Sequence, residues 1–360
     1  MDGYAVRARD TFGASETLPA LLETADEIQM GEVPVQDLKP GMAIGIPTGG
    51  MLPRGADAVV MVEYTQLLDE KTVEVTRPAA PGDNILRRSE DIEEGEELFA
   101  PGRRFRAQDV GVLAALGITE ARVIQRPRVA IFSTGDEVVP VEARDLPPGK
   151  IRDINSYTLS SHVRESGANV GTFSIVPDQL ETLVAVCRKA MEDHDVIMLS
   201  GGSSVGARDY TLRILDAFPD SELLVHGIAI RPGKPAILGR IGHKLFWGLP
   251  GQPMSALMIC QAFVMPSLAA LEGMDVADLR RRERQIPAVL SRQLPSVQGR
   301  TDYIPVVLCR DVTPRVATPL FGKSAMISIL ARADGYVVIP EHVEGLESGA
   351  DVDVHLFAGR

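Results

Sequence analysis

Apolar positions over residues 1–80 come in short runs divided by Gly and Pro. The runs are Ala43-Ile44-Gly45-Ile46, Ala58-Val59-Val60-Met61-Val62 and Thr72-Val73-Glu74-Val75. Such spacing predicts a small, mostly β module. Residues 81–125 change character: a polar loop, NILRRSEDIEEGE, precedes helical apolar spacing over Gln108–Leu116 that stops at Gly117. From Arg128 strand and helix patterns alternate. Val129–Phe132 reads as a strand ending in Ser133-Thr134-Gly135-Asp136-Glu137. Asn155 reads as the cap of a helix carrying Leu159 and Val163 and stopped by Gly167. A strand follows near Val170–Val176. Asp178 with Glu181 resembles a capping box for a helix bearing Leu183, Val186, Cys187 and Ala190. The run Val196–Leu199 leads into Ser200-Gly201-Gly202. A helix near Tyr210–Phe218, a strand near Leu223–Ile230 and a long helix from Met254 complete the series. This alternation predicts βαβ units and a largely parallel sheet over residues 126–275. Arg280-Arg281-Arg282-Glu283-Arg284 reads as a solvated helix end or linker. Residues 276–360 return to short strands, Val306–Leu308 and Gly335–Pro340 among them, and read as a separate β module.

Composition narrows the function. The chain has 360 residues, 45% of them hydrophobic, which excludes a disordered chain. At roughly 100–200 residues per domain, it holds several domains. A formal net charge of −12 argues against a nucleic-acid partner, which needs a basic face. Cys187, Cys260 and Cys309 lie far apart in the sequence, without metal-ligand spacing, as a reducing compartment allows. No basic segment followed by an apolar one marks the N-terminus. The best membrane candidate, Ala256–Leu271, is interrupted by Gln261 and Pro266 and reads as too short to span. The expectation is a cytoplasmic protein without a membrane partner.

Candidate chemistry lies in four loops that follow successive strands, where the carboxyl ends of an open α/β sheet converge. They are Ser133–Glu137, Ser200–Gly206 with Asp209 beyond it, Arg231-Pro232-Gly233-Lys234-Pro235, and Leu249-Pro250-Gly251-Gln252-Pro253-Met254-Ser255. The Gly201-Gly202-Ser203-Ser204 turn before a helix offers backbone N–H groups and hydroxyls to an anion. Arg231 and Lys234 bring positive charge on a proline-stiffened loop, and Ser255 is placed at a helix N-terminus. Asp136, Glu137 and Asp209 are hard oxygen donors of the kind magnesium takes beside phosphate. Taken singly, Asp136, Asp178, Asp209 and Ser255 read first as helix caps; the recurrence of four polar loops after successive strands favours a site.

The ordered series MDGYAV, PTGG, GADAVVMVE, NILRRSEDI, FSTGDE, LSGGSSVG, RPGKP and LPGQPMSA resembles the MoeA family of molybdopterin molybdenumtransferases, to which the gephyrin E domain is related. The resemblance implies an α/β multidomain chain. Its parts are a β-rich domain over 1–80, part of a helical linking domain over 81–125, a MogA-like three-layer α/β domain over 126–275 and a β-barrel-like domain over 276–360. It implies insertion of molybdate into adenylylated molybdopterin with release of AMP, a divalent cation such as Mg2+, a homodimer, and a hand-over from the upstream adenylyltransferase. Asp2, Thr48 and Asp91 match positions contributed by the opposing subunit. Glu137, Asp178 and Asp209 match acidic positions of the α/β domain, Glu137 and Asp209 being the metal candidates. Gly201, Gly202, Ser204, Arg231, Lys234, Pro250 and Ser255 match molybdate or substrate contacts. The chain departs from the family in Arg231 and Gln252, where Lys and Asn are common, and in Leu212 and Gly227, where many members carry Lys. A MogA-like adenylyltransferase and a non-catalytic scaffold are the competing readings.

Overall fold

The computed structural model describes residues 2–201, 205–274, 285–309 and 311–357, apart from the side chains of residues 25, 26 and 205–209. The charged stretch 280–284 lies outside them. The chain forms two compact units, Met1–Phe99 and Ala100–Arg360, so the segment 81–125 is divided between them.

The first unit is a six-stranded sheet. Its strands are β1 (Gly3–Val6), β2 (Ala20–Glu27), β3 (Met42–Ile46), β4 (Ala58–Met61), β5 (Thr65–Asp69) and β6 (Thr72–Val75), in the order β4-β1-β3-β2-β6-β5. Neighbours in sequence bury opposite faces. Val6, Ala43 and Val60 join one core, while Ala5, Ile44 and Val59 join another. Both faces are covered, which is why these strands read as unbroken apolar runs rather than as alternation.

The second unit opens with α1 (Ala107–Ala115). Its first turn is locked by Asp109, which is almost fully buried and accepts the backbone N–H of Arg106 at 2.9 Å. The same carboxylate accepts N–H groups from the guanidinium groups of Arg103 and Arg106 at 2.7–3.2 Å. The α/β domain follows, with strands β7 (Arg128–Thr134), β10 (Asn169–Val176), β11 (Val196–Gly201), β12 (Ser221–His226), β14 (Ile237–Ile241) and β15 (Lys244–Pro250); β8 (Val138–Val139) and β9 (Ile151–Arg152) form a small side sheet, and β13 (Ile230–Arg231) leaves the domain. The sheet order is β10-β7-β11-β15-β14-β12, parallel from β10 to β15 and antiparallel in the last two strands. Val129, Ile131, Val196, Met198, Trp247 and Leu249 face one layer of helices, α2 (Asn155–Ser166) and the helix from Pro253 to Leu271. Ala130, Phe132, Ile197, Leu199 and Phe246 face the other, α3 (Leu180–Ala190) and α4 (Val205–Asp216). The expected three-layer architecture is therefore present.

Local differences from the sequence reading have physical causes. Asn155 does not cap α2: it is the first helical residue, and Asp153 accepts the Ser156 N–H at 3.1 Å instead. Gly167 ends the helix in the left-handed conformation, at φ 97°, as expected. The expected strand to Ile230 stops at His226. The hairpin β14–β15, which the sequence reading passed over, turns at Gly242, whose φ is 58°. The helix Pro253–Leu271 is 19 residues long and apolar enough to cross a bilayer by length and composition, contrary to the expectation that this segment is too short. It is instead a core helix: Ile259, Cys260, Val264 and Leu268 are buried against the sheet, and Met254 and Met258 against the following domain. A π-turn over Cys260–Val264 accommodates Pro266, which cannot donate a helical hydrogen bond.

The C-terminal strands are β16 (Gln285–Leu290), β17 (Leu294–Pro295), β18 (Thr301–Cys309), β19 (Val316–Pro319), β20 (Gly335–Ile339), β21 (Gly345–Leu346) and β22 (Asp351–Leu356). The pairing β18-β19-β16-β22-β20 closes back on β18, so five strands make a barrel around Leu290, Val306, Leu308, Val337, Ile339 and Val354. Closure removes the edges that a small open sheet would expose.

Two outcomes test this packing. Phe246→Ala, at a fully buried position, is expected to lower the unfolding free energy by about 3–5 kcal/mol, read by urea denaturation. The arginines beside Asp109, Arg103 first, hold its carboxyl well below the usual carboxylate range. Its stabilisation is present above the unfolded carboxylate value and is lost as pH falls toward the depressed folded value. Asp109→Asn is expected to lower the melting temperature at neutral pH and to flatten its decline below about pH 4, followed by melts across acidic pH.

Candidate functional site

The parallel strands β7, β10, β11 and β15 end on the same side of the sheet, and polar side chains begin where their buried runs stop. Ser133 donates to Asp153 Oδ1 at 2.9 Å and lies 3.0 Å from the Ser156 hydroxyl. Asn155 Nδ2 donates to Ser200 Oγ at 2.7 Å and to the Gly251 carbonyl at 2.8 Å, while Ser200 Oγ donates to the Pro250 carbonyl at 3.3 Å. These bonds tie the start of α2 to the ends of β11 and β15, so Ser200 at the end of β11 and the Pro250-Gly251-Gln252 turn share one support. Gly201 stands opposite Pro250 in the register.

Asp178 is not the cap of α3. That helix begins at Leu180 without a side-chain cap, and Asp178 Oδ1 accepts the Thr134 hydroxyl at 3.1 Å. Burial pushes its carboxyl above the usual range; the Thr134 bond opposes this, and the nearby charges of Asp136 and Glu137 add to it. Asp136, Glu137 and Asp178 therefore share one corner at the ends of β7 and β10. Gly135 makes the turn at φ 145°, and a Cβ there would stand 2.7 Å from Glu137 Oε2. No group of three Asp, Glu, His or Cys side chains fit to hold a metal occurs among the described residues. Gly202 and Ser204 lie outside the described residues. Asp209 is in α4, and its side chain is likewise outside the description.

The Arg231–Pro235 and Leu249–Ser255 loops meet at a cavity of about 870 Å³. Arg231, Lys234, Pro250 and Ser255 line it together with Gln252, Arg300, Lys323 and Ser324. Ser255 is buried in the first turn of the helix that begins at Pro253, rather than at the cap itself. Arg231 and Pro232 are joined by a cis peptide bond, and Gly233 has φ 119° with no room for a side chain beside Ile259. Gln252 accepts a short hydrogen bond from the Ser324 hydroxyl, and the Met254 N–H donates to the Ser324 carbonyl at 3.1 Å. The family departures at 227 and 212 have local explanations. Gly227 sits at φ 77°, where a side chain is strained, and Leu212 packs against the second core.

Arg300, Lys323 and Ser324 carry no site signal in the sequence, because the pattern over residues 276–360 predicts only a β module. A glycine ahead of a cation, in Gly299-Arg300 and Gly322-Lys323, is the one cue they share with Gly233-Lys234.

In the first unit Asp2 and Thr48 are together. Asp2 Oδ1 accepts the Thr48 N–H at 2.7 Å and its hydroxyl at 2.9 Å, and these bonds, the backbone one foremost, hold the Asp2 carboxyl below the usual range. Asp91 is exposed in the acidic loop that runs from Ser89 to Glu96.

Comparison with known proteins places each part. Residues 1–117 match the MoeA N-terminal region (domain I and II), residues 130–270 a probable molybdopterin binding domain, and residues 287–357 the MoeA C-terminal region (domain IV). The chain is 32% identical to the molybdopterin molybdenumtransferase of Bacillus subtilis, over 99% of this chain and 82% of that one. It is 34% identical to molybdopterin molybdenumtransferase 2 of Mycobacterium tuberculosis, over 98% and 87%. The crystal structure of a molybdopterin biosynthesis MoeA protein from Pyrococcus horikoshii superposes with a TM-score of 0.82 at 30% identity, covering 99% of this chain and 86% of that one. Nearly full-length similarity, over all three matched regions, makes this chain a member of the MoeA family of molybdenum cofactor biosynthesis proteins.

Proposed function

We propose that this chain is a molybdopterin molybdenumtransferase that takes adenylylated molybdopterin and molybdate, bonds the molybdenum to the dithiolene sulfurs and releases AMP. The observation that carries this reading is the cavity in which Arg231, Lys234, Arg300 and Lys323 converge with the Ser255 hydroxyl. Molybdate is a tetrahedral dianion whose oxygens accept hydrogen bonds only, and such a wall of cationic and hydroxyl donors suits it. Arg231 and Arg300 offer planar forks to its oxygens; Lys234 and Lys323 offer point charges. The Asn155 bonds hold the end of β11 and the Pro250-Gly251-Gln252 turn, which leads to Ser255, in one shape before substrate arrives.

Glu137 and Asp209 would hold a divalent cation such as Mg2+. When bound, that ion supplies positive charge at the adenylyl phosphate. Support for this comes from Asp136, Glu137 and Asp178, which gather negative charge at one strand end, with Lys150 donating to the Asp136 carbonyl beside them. Asp178, hydrogen-bonded to Thr134, orients this corner. The resemblance supports a cytoplasmic homodimer in which Asp2, Thr48 and Asp91 come from the second subunit, Asp2 and Thr48 as a preformed pair. It also supports Gly201, Gly202 and Ser204 as substrate contacts.

The reading is tested by measuring AMP released from adenylylated molybdopterin. Release is expected to require molybdate together with a divalent cation; release indifferent to molybdate would overturn it. An adenylyl adduct formed from molybdopterin and ATP would instead make the chain an adenylyltransferase. Lys234→Ala is expected to raise the KM for molybdate about tenfold, the cost of one charge-assisted hydrogen bond. Glu137→Gln is expected to shift the divalent-cation dependence to higher concentration while leaving the melting transition in place. An unchanged cation dependence would remove Glu137 from the metal site.

A further inference from the structure

The cavity borrows half of its cationic wall from the barrel, and one buried carboxylate sits behind that wall. Asp302 on β18 has no exposed surface. Its Oδ1 accepts Arg300 Nε at 2.8 Å and its Oδ2 accepts Arg300 Nη2 at 3.3 Å, a side-on grip on the guanidinium plane. Arg231 Nη1 lies 3.9 Å from the same Oδ2. The backbone repeats this connection, because β13 pairs in parallel with the start of β18 and places Arg231 opposite Asp302 in the register. Both arginines line the cavity and Asp302 does not.

We propose that Asp302 is a positioning residue for the molybdate site, acting through Arg300 and Arg231. This rests on the reading of the cavity given above. A free arginine samples many rotamers, and ordering it on a ligand costs side-chain entropy. Asp302 removes much of that cost in advance: it holds the guanidinium of Arg300 by Nε and one terminal nitrogen, and leaves the remaining N–H groups for an oxyanion. A single carboxylate shared by two guanidinium groups leaves the pair net positive, so the site is ordered without being neutralised. The barrel thereby takes part in substrate binding, and the β13–β18 pairing sets how far its arginine stands from the α/β-domain loops.

The experiment is calorimetric titration of the purified full chain with molybdate, accompanied by melting curves. Asp302→Asn keeps the volume and loses the charge; it is expected to weaken molybdate binding by about tenfold or more. In an Arg300→Ala background the same substitution is expected to cost at most about threefold, because its main route is gone. An equal loss in both backgrounds would mean a merely structural role and would overturn the proposal, as would wild-type affinity for Asp302→Asn. Should Asp302→Asn fail to fold, Arg300→Lys decides. It keeps the charge but cannot span both oxygens of Asp302, and is expected to bind molybdate as weakly as Arg300→Ala. Wild-type affinity for Arg300→Lys would overturn the proposal. Lys234→Ala separates the two levels: if it too binds molybdate normally, the cavity is not the molybdate site. If it binds weakly while Asp302→Asn does not, the role of Asp302 alone falls.

Discussion

A parallel strand covered by helices on both faces can place polar chemistry only at its ends, and this constraint organises the second unit. Along the interiors of β7, β11 and β15 alternate side chains fill two cores, and the charged Arg128 and Lys244 stand only at the strand starts, away from the site. Polarity begins abruptly at Ser133, Thr134 and Ser200, the last residues before the turns. Because the strands are parallel, those ends fall on one side and their turns become neighbours. The bonds from Asn155 to Ser200 and Gly251 are the consequence: buried polar groups at a strand end must find partners, and the nearest are one another. A site built this way is rigid because the core beneath it is close-packed, not because its loops are short.

The barrel solves a different problem. The loops that follow the α/β sheet supply Lys234 and Ser255, while Arg231 lies on β13, already paired with the barrel strand β18. Closing five strands into a barrel gives a rigid body that carries Arg300, Lys323 and Ser324 to the same cavity. It is joined to the sheet by backbone pairing at β13–β18 and by packing of Ile329 and Tyr336 on Met254 and Met258. The helix Pro253–Leu271 is apolar along its length for this reason, since it is covered by the sheet and, at its N-terminal end, by the elements of the barrel domain.

What could be read from the sequence follows the range of the interactions involved. Local pattern locates α1, α2, α3 and the strands β3, β4, β6, β7, β10 and β11, because a helix buried on one face writes a repeat of 3.6 and a short strand writes an apolar run or a repeat of 2. The β14–β15 hairpin escapes such a reading: β14 is short and broken by Gly239 and the exposed Arg240, and its turn at Gly242-His243 resembles any other polar break. Asp178 and Asn155 were misread for one reason. Each has the residue type and spacing of a cap, but each finds a partner far away in sequence, Thr134 for Asp178, Ser200 and Gly251 for Asn155. The candidate site was half legible. The loops of the α/β domain announce themselves by composition and by family motif, whereas the contribution of Arg300 and Lys323 depends on how the barrel packs, which no local pattern encodes.

The net charge of −12 poses the remaining physical question, how an acidic molecule suits a dianion. Distance decides it. At physiological ionic strength exposed charges are screened within about 8 Å, so the overall charge acts weakly on an ion already inside a cavity. Within the cavity the relevant charges are Arg231, Lys234, Arg300 and Lys323 against the single buried carboxylate of Asp302. Low-dielectric walls strengthen those short interactions. On the proposed reading, the acidic exterior would slow the approach of an anion slightly, while the four cations lining the cavity would set how tightly it is held. Acidic surface and anion site are compatible because they act on different steps.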